Sequence, residues 1–293
     1  MIAKRTLQRV LARGITTFRF DRALRQLLWR DRVAVLLYHD PRPDTLDDHL
    51  TYLKSFCDFV PLSQVASPGN GRPRAAITLD DGAVGNADLL PVFIKHNVRP
   101  TLFLCSQFVG RPTMHWWLHP AAKLAGIERL KRLSNVERLA ELGKYGYQQA
   151  HEGEGTGLTT AQIETMRPFV DFQAHTRFHP ILTRCDDRDC EEEISVGKSE
   201  LESMLGTECE HFAYPNGNFT EREIRFVKAA GFKTARTCNL GWNDSRSDPY
   251  RLKTIVIDDD AAVWWFAAQL TGIPVFLRYL RHAHNFSGNS PQF

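Results

Sequence analysis

Short apolar runs alternate with amphipathic stretches along most of the chain. Runs rich in β-branched and aromatic residues predict strands at 33–39, 58–61, 75–80, 101–105, 170–175, 211–214, 233–238 and 251–257. Apolar positions at helical spacing predict helices at 45–56, 86–97, 159–167, 188–206 and 220–230. The helix at 188–206 is the clearest, with Ile194, Leu201 and Leu205 on one face and acids near its start. Repeated β–α units of this kind predict an α/β fold on a parallel barrel, with any site on the rim at the C-terminal ends of the strands. Residues 106–158 break the rhythm with a patch of His115, Trp116, Trp117 and His119, a charged helix around 127–144 and a Gly-rich loop. An insertion on a barrel rim either shapes access to the site or is a helical excursion that its tryptophans pack down. Packing is the reading for Trp116, while Trp117 stays open to stacking on a sugar.

The ends of the chain differ from its middle. Residues 1–32 carry nine Lys and Arg against two acids, and Leu7, Val10, Leu11, Ile15 and Phe18 fall at helical spacing. Such a basic amphipathic helix can pack on its own domain or lie on an anionic membrane surface, and it also mimics an organelle transit peptide. No apolar run is long enough for a signal peptide or a bilayer span, so the expected location is cytoplasmic or peripheral on the inner face of the cell membrane. The expected organisation is the basic helix over 1–32, a barrel over 33–260 carrying the 106–158 insertion, and a helical tail over 261–293. The 293 residues, 43% hydrophobic and 24% charged, suffice for a core without disulfides. The six cysteines form no CxxC pair and read as unpaired thiols of a reducing compartment. The net charge is +3; Arg-rich ends can bind nucleic acid through phosphates alone, but no recognised nucleic-acid motif accompanies them, so no such partner is expected.

Chemistry concentrates at two strand ends. The run Ile77-Thr78-Leu79 stops on Asp80, Asp81 and Gly82, and the strand ending at Ala174 is followed by His175 and His179. Two imidazoles four apart share one face of a helical turn, and neutral imidazole suits Zn, Co, Ni or Fe. With one carboxylate they make a three-ligand divalent metal site, and the other carboxylate is left as a base. A metal that activates water beside a spare base outlines a hydrolase. Each group also has an inert reading. An Asp-Asp-Gly turn can cap the following helix, and a lone His is more often packed or exposed than ligating.

Three segments carry a resemblance. Thr78-Leu79-Asp80-Asp81-Gly82, Ala174-His175-Thr176-Arg177-Phe178-His179-Pro180 and Phe212-Ala213-Tyr214-Pro215-Asn216-Gly217 resemble successive motifs of the polysaccharide deacetylase family, carbohydrate esterase family 4 with its NodB-homology domain. The resemblance runs from about residue 33 to about residue 260 and implies a distorted (β/α)7-type barrel that removes N- or O-acetyl groups from sugars with a divalent metal, Zn first, with N-deacetylation of an amino sugar as the leading expectation. It implies Asp80 as general base and Asp81, His175 and His179 as metal ligands. Water held by the metal and deprotonated by Asp80 would attack the acetamide carbonyl, with the Asn216 backbone N–H in the oxyanion hole. The amine needs a proton as it leaves. The family's usual donor is a Leu-x-His near the C-terminal end of the domain, which this chain lacks. Leu37-Tyr38-His39 resembles the same motif in a circularly permuted branch that includes poly-N-acetylglucosamine deacetylases, so His39 is the candidate acid, against a reading as a strand-end packing residue. Ala213 stands where many relatives have an arginine that orients the base. That departure leaves room for a catalytically silent carbohydrate-binding barrel as the alternative.

Overall fold

The computed structural model describes residues 28–69, 71–150 and 153–274. The expected basic helix therefore lies almost wholly outside the described residues, as does the end of the expected tail. All eight apolar runs form strands: β1 (Val33–Tyr38), β2 (Asp58–Phe59), β3 (Arg74–Leu79), β4 (Thr101–Leu104), β5 (Asp171–Ala174), β6 (His211–Ala213), β7 (Thr234–Leu240) and β8 (Leu252–Val256). Every residue of β1 and β3 is buried, which is why these strands read as unbroken apolar runs rather than as an alternation.

The strands make one sheet in the order β1-β8-β7-β6-β5-β4-β3-β2, and β1 pairs with β3 as well. Seven strands thus close on themselves as a distorted (β/α)7-type barrel, with β2 beside the first two residues of β3. The β1–β3, β1–β8, β5–β6 and β6–β7 pairings are all parallel. The helices are α1 (Pro43–Lys54), α2 (Leu90–His96), α3 (Pro120–Ala125), α4 (Ile127–Leu130), α5 (Asn135–Gly143), α6 (Thr160–Met166), α7 (Asp187–Leu205), α8 (Glu221–Ala229) and α9 (Val263–Gln269). The expected helix at 86–97 is a 3-10 segment followed by α2, with Pro91 at the start of the α-helical part, where a proline costs nothing.

By its contacts the chain divides into two compact units. In the first, residues 1–79, 88–101 and 238–293, Trp29 is fully buried and donates its Nε1–H to the Leu270 carbonyl. Phe266 of α9 lies flat on the His49 ring of α1 at 3.9 Å. The second, residues 80–87 and 102–237, carries the insertion and its own apolar cluster around Trp116, Leu130 and Leu142. The charged helix expected around 127–144 is two helices, α4 and α5. Lys131 ends α4, and Ser134 caps α5 in a reciprocal box with Glu137. No helix among the described residues is long and apolar enough to cross a membrane.

Candidate active site

The Asp-Asp-Gly segment leaves β3 through a left-handed turn, with φ of 74° at Asp81 and 68° at Gly82. A side chain at 82 would stand 2.6 Å from Leu104 Cδ2 and 2.9 Å from Val109 Cγ1, so both backbone and space demand glycine. The far end of the insertion braces this turn. Ala83 bridges Gly157, the Leu158 N–H donates to the Gly82 carbonyl at 2.8 Å, and the Val84 N–H donates to the Thr156 carbonyl.

His115 completes the brace. Its Nε2 lies 3.2 Å from the Asp81 carbonyl and its Nδ1 2.7 Å from Thr156 Oγ1. Burial holds this imidazole below its ordinary value, so a neutral ring donates from Nε2 to Asp81 and accepts from the Thr156 hydroxyl. The insertion is therefore no mere excursion: it fixes the turn that carries Asp81.

Residues 175–179 form a loop, not the helical turn that their spacing suggests. Thr176 has φ 68° and His179 φ 52°, a region that a β-branched residue enters only under constraint. Thr176 Oγ1 accepts the His179 N–H at 3.1 Å. Across this loop the two imidazoles meet with centroids 4.7 Å apart.

The ligating atoms converge on Asp81. Its Oδ1 lies 3.5 Å from His175 Nε2 and 3.4 Å from His179 Nε2. Ligands about 2.1 Å from a tetrahedral ion stand roughly 3.4 Å from one another. Asp81 Oδ1 is buried and has no hydrogen-bond partner among the described residues, as expected of an atom whose partner is an ion. His175 donates Nδ1–H to the Ala213 carbonyl at 2.8 Å, which fixes the tautomer and leaves the Nε2 lone pair for a metal. Burial, reinforced by His175 and His115, pushes His179 well below its ordinary value, so it too is a neutral donor. The set fits a divalent metal of borderline softness, Zn above Mg or Ca.

Asp80 is gripped by a residue that the sequence reading missed. Arg236 on β7, fully buried, donates from Nη2 to both Asp80 oxygens. Its guanidinium carbon lies over the Phe103 ring at 5.1 Å. Ala213, where an arginine was expected, is the register partner of Arg236 across the β6–β7 pair. The cation thus comes from the neighbouring strand at the same level. The available signal was a lone arginine inside the run Thr234–Cys238, a costly burial unless an acid faces it.

His39 directly follows the end of β1. The His39 and Asp40 N–H groups donate to Asp259 at 3.1 and 3.0 Å. Asn216 sits at the apex of a 3-10 turn with φ 56°, and the Gly217 and Asn218 N–H groups bond back to the Tyr214 and Pro215 carbonyls. Trp116 is buried, as its packing reading expected, and donates Nε1–H to the His179 carbonyl at 3.1 Å. Trp117 is half-buried, its ring 4.6 Å from that of His179. His211 Nδ1 lies 2.8 Å from Thr234 Oγ1, a bond between neighbouring strands.

A family model described as polysaccharide deacetylase matches residues 68–235. Among solved structures, the Streptococcus pyogenes deacetylase PplD in complex with acetate is 17% identical, covering 79% of this chain and 94% of its own, with a TM-score of 0.58. IcaB from Ammonifex degensii is 18% identical over 82% of this chain and 97% of its own, also at 0.58. A de-N-acetylase from Aggregatibacter actinomycetemcomitans is 14% identical over 79% and 97%, at 0.57. At these identities the likeness is one of fold. No curated protein matches the chain.

Proposed function

Since this chain belongs to the polysaccharide deacetylase family, a family of hydrolases that remove N-acetyl groups, we propose that it is a metal-dependent N-deacetylase acting on an amino sugar of a glycan or glycan precursor. One observation carries the reading. Asp81, His175 and His179 meet on a single orphaned oxygen, beside a second carboxylate held rigid by a buried arginine. A divalent metal bound there supplies a Lewis acid for the acetamide oxygen and lowers the pKa of water.

The chain's own groups do the rest. Asp80, its oxygens fixed by Arg236, takes the proton from the attacking water. The Asn216 N–H faces the charge that develops on the carbonyl oxygen, where a preorganised donor is worth about 10²–10³ in rate. His39 gives the departing amine its proton, without which the C–N bond cannot break. Its backbone N–H is held by Asp259 while the residue itself is exposed, which favours the acid over the packing reading. The silent-barrel alternative rested on Ala213, and Arg236 fills that gap.

The test is acetate release from a panel of free, polymeric and lipid-linked N-acetyl sugars by the zinc-loaded protein. Release is expected from at least one class, and Asp80→Asn should abolish it while leaving bound zinc stoichiometric. No release from any class would sink the proposal.

A further inference from the structure

The loop 175–179 contains two non-glycine residues at positive φ, each costing on the order of 1–3 kcal/mol. Something must hold it, and one face of α7 is arranged to do so. Glu193, Gly197 and Glu200 lie at i, i+4 and i+7, one stripe of that helix.

Glu193, buried, accepts the N–H groups of Arg177 and Phe178 on one oxygen, both at 2.9 Å. These are the peptide groups between the two histidines. Gly197 lies directly beneath: a Cβ there would stand 3.0 Å from the Thr176 carbonyl carbon and 3.2 Å from the Arg177 nitrogen. Helix backbone and loop backbone therefore touch with no side chain between them. Glu200 accepts from Ser106 Oγ at 2.5 Å, Gln107 Nε2 at 2.8 Å and Arg177 Nη2 at 3.0 Å. Ser106 and Gln107 in turn donate their N–H groups to the Thr176 and Arg177 carbonyls, both at 3.1 Å. Donors and acceptors of the loop's middle peptides are all engaged by α7 or by the segment it holds.

We propose that Glu193, with Gly197 and Glu200 on the same face of α7, is a positioning residue that sets the 175–179 loop in its metal-holding conformation. None of the three reaches the reacting atoms. They act through the peptide groups between His175 and His179, so their removal frees the loop to relax and spreads the two imidazoles. A role in mere folding would cost stability and leave the metal affinity of the folded protein unchanged. Partners of metal-ligand groups that act in this way typically change affinity by about 10- to 100-fold. The inference rests on the reading of His175 and His179 as ligands.

The experiment is zinc affinity of the full chain by competition with a chromophoric chelator, with the visible spectrum of the Co(II) form and kcat and KM beside it. Glu193→Ala should weaken zinc binding at least tenfold and alter the Co(II) spectrum. Glu193→Gln, which keeps an acceptor oxygen, should restore binding to within about threefold. A folded Glu193→Ala protein with unchanged affinity and spectrum overturns the proposal, as does Glu193→Gln failing as badly as alanine. If Glu193→Ala does not fold, Gly197→Ala decides: weaker zinc binding is expected, and a folded variant with unchanged binding overturns the idea. His175→Ala is the separate control. Should it bind zinc as tightly as the parent, the metal-site reading itself is wrong, whatever Glu193 does.

Discussion

Arg236 and Asp80 are buried together, so neither can be removed without stranding the other. Deleting one partner of such a pair costs roughly 3–5 kcal/mol because an uncompensated charge stays inside. Arg236→Ala should therefore lower the unfolding free energy by that order. It should also reduce kcat about 100-fold through loss of Asp80 alignment, with zinc affinity within a few-fold of the parent. Arg236→Lys keeps the charge but loses the planar grip, and should fall between the two. Urea melts and steady-state kinetics check both, and an unchanged kcat in Arg236→Ala would remove Arg236 from the account. At Gly82 the demand is steric as well as conformational. Gly82→Ala should cost at least about 1–3 kcal/mol and weaken zinc binding, since the same turn carries Asp81. A variant as stable as the parent in urea would show that the turn can relax.

At the scale of elements, the strands were legible and the loops that join them were not. Residues such as Val33–Tyr38 and Arg74–Leu79 are buried throughout, and burial on both faces writes itself into sequence as an apolar run. The His175–His179 loop offered only a spacing, and spacing suggested a helical turn. Its actual shape depends on positive φ at Thr176 and His179, which no local preference announces because Glu193 and Gly197 of the following helix hold it by tertiary contact. Arg236 was illegible for a similar reason, since its partner lies 156 residues away.

That same helix gives a pH dependence. Burial pushes the Glu193 carboxyl from its ordinary 4.5 up to about 7, against the pull of the Phe178 and Arg177 N–H groups and of the Arg177 and Arg138 charges. Between those pH values the native protein binds more protons at this site than the unfolded chain does. Stability must then fall as pH rises across the window, by up to about 3 kcal/mol. Glu193→Gln should flatten this component. Urea midpoints of the metal-free proteins at pH 5 and pH 8 test it, and equal changes in parent and variant would mean that Glu193 is not the titrating group.

For the whole molecule, Asp81, His175 and His179 lie close enough together to hold one ion, so a metal bound there would act as a cross-link on the native state. A ligand at about a thousandfold above its dissociation constant adds roughly 4 kcal/mol to unfolding, provided that the unfolded chain does not bind it. For a protein of this size a change of 1 kcal/mol moves the melting temperature by about 2–4 °C. Stripping zinc with a chelator should therefore lower the melting temperature by on the order of 10 °C, and adding zinc back should restore it. The shift should follow zinc concentration logarithmically, which separates site binding from a general salt effect. His175→Ala loses one of three ligands and should melt at nearly the same temperature with and without zinc. Its metal-free form should itself melt lower than the metal-free parent, because the buried His175 side chain and its bond to the Ala213 carbonyl are lost. A parent protein whose melting temperature ignores both chelator and zinc would show that Asp81, His175 and His179, though close enough to hold an ion, do not.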